Sequence, residues 1–131
     1  VDAERGAEEF LQRDTVIYNS YYGEDAAMRN ATVYREDGSM HLTTLTETSS
    51  IALKSNLNPI EGALEKILQL QGWIYDRNNN GSTGEAGLIA EEVEKIIPNL
   101  VTNSGIHYTK ISAYLIEALK SLKQEIDELK K

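Results

Sequence analysis

The 131-residue chain has no cysteine, which excludes a disulfide framework, a thiolate nucleophile and a cysteine-type zinc site. Its two histidines, His41 and His107, have no second ligand at metal-binding spacing, so no zinc and no other metal is expected. Each reads as an ordinary side chain rather than a catalytic one. Basic residues are scarce: 13 Lys and Arg face 21 Asp and Glu, a formal net charge of −8. Nucleic-acid binding needs clustered cations, so nucleic acid is not an expected partner. No apolar run approaches the roughly 20 residues that span a bilayer, and no charged, apolar and small-residue leader opens the chain. A membrane is not expected as a partner either. The chain opens on Val1 rather than Met, which predicts a piece of a longer protein.

With 40% apolar and 26% charged residues the chain has the composition of a folded domain, large enough for one modest core. Residues 2–12, DAERGAEEFLQ, are acidic and weakly amphipathic and suggest a short helix or a frayed lead-in. The run Thr15–Tyr22 is β-branched and aromatic, as are Ala31–Arg35 and Ser39–Leu45. Asp37-Gly38 between the last two predicts a hairpin turn.

Beyond Asn58-Pro59, the spacing of Ile60, Ala63, Leu64, Ile67, Leu68 and Gln71 predicts a helix of about three turns, with Pro59 in its first turn and an end near Gly72. Trp73–Tyr75 and Ala86–Ile89 read as strands around an Asn/Gly-rich turn, Arg77–Gly84. Ala90–Ile97 reads as a short helix stopped by Pro98.

Lys110–Lys131 contains neither Gly nor Pro, and Leu115, Leu119, Leu122, Ile126 and Leu129 alternate spacings of four and three. That is a heptad-type seam with charged flanks, which predicts self-association; the same spacing also suits a helix packed on its own domain. The fold class expected is α+β: a β-rich lead over 1–48, a small α+β core within 49–131, and a long C-terminal helix over 109–131 that forms a coiled coil or helical bundle, trimeric if the resemblance described below holds.

Three segments invite chemistry. Asp76-Arg77-Asn78-Asn79-Asn80-Gly81 matches the first half of a calcium loop, but the twelfth position, where a bidentate Glu is required, is Gly87. A hairpin turn without metal is the expectation. Ser49, Ser50 and Lys54 offer a Ser–Lys dyad, since a desolvated lysine amine accepts a hydroxyl proton without any histidine. Tyr18, Tyr21, Tyr22 and Tyr34 suit either glycan contact or a stalk interior.

The order of segments carries a resemblance. SSIALKSNL, an amphipathic helix, GWIYD, a Gly-rich turn, GLIAEEVEKIIPNLV and HYTKISAYLIEALKSLKQEIDELKK follow one another. Together they resemble the chaperone-of-endosialidase family, the self-cleaving serine peptidase domains at the ends of phage tail spikes and fibres. Gly87–Val101 is similar to the family's G-x-I-A-Q-E-V-E-x-x-x-P-x-x-V signature, with Glu91 in place of Gln.

The resemblance implies an intramolecular chaperone that directs trimerisation and folding of a tail protein and is then released by autoproteolysis. Its partners would be two further copies of itself and the stalk of its own precursor, with no cofactor. Family members cut before the Ser of S-D-x-R-x-K, which implies Ser49 as nucleophile, Lys54 as base and Thr48–Ser49 as the bond. Ser50 stands where the family has Asp and Ala52 where it has Arg. The alternative is a cut at or before Val1, with Ser49 a relic of the motif. The domain is expected to be made in the infected host cytoplasm and to be absent from the mature virion. A competing reading is a trimeric receptor-binding tip that stays on the virion. A plain coiled-coil module accounts for the last helix but not for Gly87–Val101.

Overall fold

A computed structural model describes the strand backbones 7–12, 15–21 and 28–35, and residues 39–131 with their side chains. The chain divides into two units, Val1–Ser50 and Ile51–Lys131. The fold class is α+β.

The first unit is an antiparallel sheet of β1 (Ala7–Gln12), β2 (Thr15–Tyr21) and β3 (Met28–Arg35), ordered β1-β2-β3. Ala7–Gln12 is thus a strand, not a helix. Its Ala and Glu residues favour a helix locally, but pairing along Phe10↔Ile17 and Leu11↔Val16 overrides that preference. β3 turns back on β2 through Val16↔Tyr34 and Ile17↔Val33, with a register shift at Ser20/Tyr21. The expected hairpin between 31–35 and 39–45 does not form: β3 takes β2 as its partner, and residues 39–45 hold no strand. Asp37-Gly38 and Tyr22 lie outside the described residues.

The second unit opens with a single 3-10 turn, Ile51–Leu53. α1 follows at Ala63–Leu68, half the length that the apolar spacing predicts. Gly62, at φ 67, is left-handed and stops the helix from extending back to Pro59; a side chain there would be strained. At the other end Gln69 and Leu70 donate to Lys66 and Ile67, which tightens the last turn into 3-10 geometry.

β4 (Trp73–Tyr75) and β5 (Glu85–Gly87) form a hairpin in register Trp73↔Gly87. The return strand therefore starts one residue earlier and ends two earlier than expected. α2 (Ala90–Ile96) stops ahead of Pro98, which begins a 3-10 turn, Pro98–Leu100. A second hairpin, β6 (Val101–Thr102) and β7 (Gly105–Ile106), is turned by Asn103 and Ser104, both at positive φ, as a tight primed turn demands. A 3-10 turn at Tyr108–Lys110 leads into α3, Ile111–Leu129.

The core is where α1, α2, the Pro98–Leu100 turn and the first half of α3 meet: Ala63, Leu64, Val93, Ile97, Leu100, Tyr114 and Ala118 are buried. Tyr114 brings a hydroxyl into this apolar setting and donates it to Asn99 Oδ1 at 2.9 Å, avoiding the desolvation cost of an unmade bond. No helix among the described residues is long and apolar enough to cross a membrane.

Candidate functional site

The signature block Gly87–Val101 supplies most of this core. Val93, Ile97 and Leu100 recur at helical spacing on its inward face, and each is only 1% exposed. Its first glycine has a steric task. A Cβ on Gly87 would stand 2.8 Å from the Tyr75 hydroxyl and 2.9 Å from that of Tyr108, closer than real side chains approach. The Tyr108 hydroxyl accepts the Leu88 N–H at 2.9 Å, tying the start of α3 to the hairpin that precedes α2.

The β4–β5 turn is held by its own oxygens. Asp76 Oδ1 accepts the Gly84 N–H and Asn80 Oδ1 the Ser82 N–H, each at 3.0 Å. Arg77 reaches across to Glu85 with Nε at 3.2 Å from both carboxylate oxygens and Nη2 at 3.1 Å from Oε1, and its guanidinium lies 5.8 Å from the centre of the Tyr75 ring. The hydrogen bonds from Arg77, then from Ser82, hold the Glu85 carboxyl below the usual carboxylate range. The bond to Glu85 and its charge raise Arg77 in turn. Two oxygens of the calcium-like half-motif, those of Asp76 and Asn80, thus close the turn, and no group of three or more potential metal ligands occurs among the described residues.

Tyr75, Leu88, Ile89, Ile106 and Tyr108 line a slot of about 380 Å³ beside this hairpin. Sequence reasoning missed it. Its walls come from β4, the link into α2 at Leu88–Ala90, β7 and the turn before α3, which are distant in the chain; the Asn103-Ser104-Gly105 run was the available signal for the β7 wall.

Ser49 is exposed at the end of the first unit, and Lys54 is exposed at the start of the second. Lys54 donates its backbone N–H to the Ile51 carbonyl at 3.0 Å, closing the 3-10 turn between them. His41 contacts Ser39 Oγ at 3.1 Å, and His107 contacts Thr102 Oγ1 at 2.8 Å.

Leu115, Leu119, Leu122, Ile126 and Leu129 share one face of α3 and are 41% to 85% exposed. Ion pairs Glu117–Lys120, Lys123–Asp127 and Glu128–Lys131 run along the flanks. The helix packs on its own core through Tyr114 and Ala118, so the reading of its periodicity as a helix packed on its own domain holds for that face, and the stripe lies on an adjacent one.

Residues 49–102, from the candidate serine through the signature block, match the family described as chaperone of endosialidase. This segment is similar to chaperone-of-endosialidase domains. The chain is also similar to long tail fibre proteins Gp37 of phages: 35% identical to that of Enterobacteria phage K3 over 94 residues, and 31% identical to that of Enterobacteria phage M1 over 107. The first match covers 62% of this chain and 8% of the K3 protein, the second 71% of this chain and 43% of the M1 protein. Gp37 of Salmonella phage S16 is 30% identical over 109 residues, which make up 15% of that protein. The chain therefore spans less than half the length of each of these relatives. No solved structure matches it significantly. Within the matched segment lie α1, the β4–β5 hairpin and α2, while α3 follows the match and completes the core.

Proposed function

We propose that this chain is the intramolecular chaperone of a phage tail-fibre precursor: it holds three chains together through α3 while the fibre ahead of it folds, and is then released. The exposed aliphatic stripe of α3, on a domain similar to this family, carries the reading. Intertwined fibres have few local contacts, so each chain must meet loop-closure entropy before neighbours reward it. Three chains gathered at one end raise one another's effective concentration. The lead over 1–48 is then the end of the stalk, and the released domain stays behind in the infected host cytoplasm.

Release is assigned to Ser49 and Lys54. The Ser49 hydroxyl adds to the Thr48 carbonyl as Lys54 takes its proton, and the proton passes to the Ser49 nitrogen as the C–N bond breaks. The resulting Thr48 ester is hydrolysed by water to a carboxylate and a free Ser49 hydroxyl. A lysine serves as base once desolvated. Lys54 is exposed in the single chain, so that desolvation has to come from assembly. The family match begins at Ser49 itself, which supports this bond over one at or before Val1.

N-terminal sequencing of the fragment released from the unmodified precursor tests the assignment. The expected terminus is Ser-Ser-Ile-Ala-Leu-Lys, and Ser49→Ala or Lys54→Ala leaves the precursor whole but still trimeric. A fragment beginning near Val1 overturns the dyad and keeps the chaperone. A precursor never cut, with the domain present on virions, favours the receptor-binding tip.

A further inference from the structure

The segment Ile51–Leu57 is shaped but unburied. Its 3-10 turn is closed by the Lys54 N–H, Asn56 is left-handed at φ 54, and Asn58 Nδ2 donates to the Asn56 carbonyl at 2.9 Å. These local bonds hold the backbone in a defined path while Ile51, Leu53 and Leu57 stay 66% to 70% exposed. Three large aliphatics held outward on a preorganised arm lower the ordering cost of docking and mark an interaction surface. The same unit of the chain carries an opening of matching character. The slot of about 380 Å³ combines apolar Leu88, Ile89 and Ile106 with polar Tyr75, Arg77 and Tyr108. Because the Tyr108 hydroxyl already accepts the Leu88 N–H, its own hydrogen is left to donate to a main-chain carbonyl, which is what an entering peptide presents.

We propose that the Ile51–Leu57 arm of one copy docks into the Tyr75–Leu88–Ile106–Tyr108 slot of a second copy. The inference rests on the self-association proposed above. The α3 stripe supplies five residues, whereas a stable interface engages about 20–30 on each side; a further contact between copies is needed, and arm and slot are the complementary pair that every copy carries. A contact of arm to slot is heterologous, and heterologous contacts close into rings when the rotation permits. Three copies, each giving one arm and receiving one, leave no arm unfilled. Docking would also cover Lys54, which lies between Leu53 and Leu57 on the arm.

The absence of native cysteine makes the test direct. Full-length chains bearing Leu53→Cys and differently tagged chains bearing Ala90→Cys are co-expressed, purified as mixed assemblies and oxidised; Ala90 lines the slot. The expected result is a disulfide-linked pair carrying both tags, at least tenfold more abundant than with Asn79→Cys, on the exposed β4–β5 turn, in place of Ala90→Cys. Assemblies that are oligomeric by light scattering yet cross-link no better than this control overturn the arm-in-slot contact and leave self-association standing. A chain that stays monomeric overturns both. A separate variant, Leu53→Asp, is expected to weaken assembly at least tenfold with unchanged circular dichroism, because Leu53 is exposed in the single chain; an unchanged dissociation constant counts against the proposal even if the cysteine variants express poorly.

Discussion

The two halves of α3 follow one helical period and meet different surroundings. From Ile111 to Ala118 the inward face is Ile111, Tyr114 and Ala118, packed against the core. One turn further the same face continues as Ser121, Glu125 and Glu128, polar residues with no reason to be buried. The aliphatic stripe one step around the helix does the opposite, running on through Leu122 and Ile126 to Leu129. The buried part of α3 ends at Ala118 and the apolar stripe does not, and the proposed self-association rests on that contrast. A helix built only to finish its domain would lose both faces together.

The sharpest way to break this comparison is to charge the stripe. Leu122→Asp with Ile126→Asp places two carboxylates where a partner helix would desolvate them. Assembly is expected to be abolished at any workable concentration, while the circular dichroism of the single chain keeps its helix because neither residue is buried there. Loss of helix together with loss of assembly would show that the stripe serves the domain's own fold.

The converse change strikes the other half. Leu100→Ala opens a cavity under the first turns of α3, and truncating a buried leucine costs about 2–5 kcal/mol. Urea unfolding in the Leu122→Asp, Ile126→Asp background keeps assembly from contributing to the measured stability. A loss under 1 kcal/mol would mean that the Val93–Ile97–Leu100 ridge is not the centre of the core.

What was legible in the sequence is what is local. The stripe, α2 and its stop at Pro98, and the strand at Trp73–Tyr75 all rest on periodicity or on a single breaker within a few residues. What was not legible depends on distant partners. Ala7–Gln12 looks helical until β2 pairs with it, and the run 39–45 looks like a strand although β3 pairs with β2 instead. α1 has the apolar spacing of a longer helix, but one left-handed glycine truncates it. Ser49 and Lys54 offer a dyad by residue type, but five residues between a serine and a lysine mean little until the resemblance gives them a context. Of the slot only the Asn103-Ser104-Gly105 turn left a signal, because its walls come together only after two hairpins and α2 have folded.

The smallest effect concerns the clasp at the tip of the β4–β5 hairpin, far from either half of α3. Hydrogen bonds from Arg77 and Ser82 lower the Glu85 carboxyl relative to an unfolded glutamate. A group with a depressed folded pKa contributes stability above its unfolded value and loses it as pH falls through the folded one, so the clasp is intact at neutral pH and opens only below the ordinary carboxylate range. Arg77 is shifted upward from an already high value and adds no pH dependence in that window. Because the pair is solvent-exposed, the change belongs to the hairpin rather than to global stability. The Arg77 Nε–H resonance is expected to move with acid in the wild type, and Glu85→Gln should remove that movement while leaving the α3 amides untouched. Identical acid titrations of this resonance in the two proteins would mean that Arg77 senses another carboxylate, with Asp76 the neighbour to substitute next.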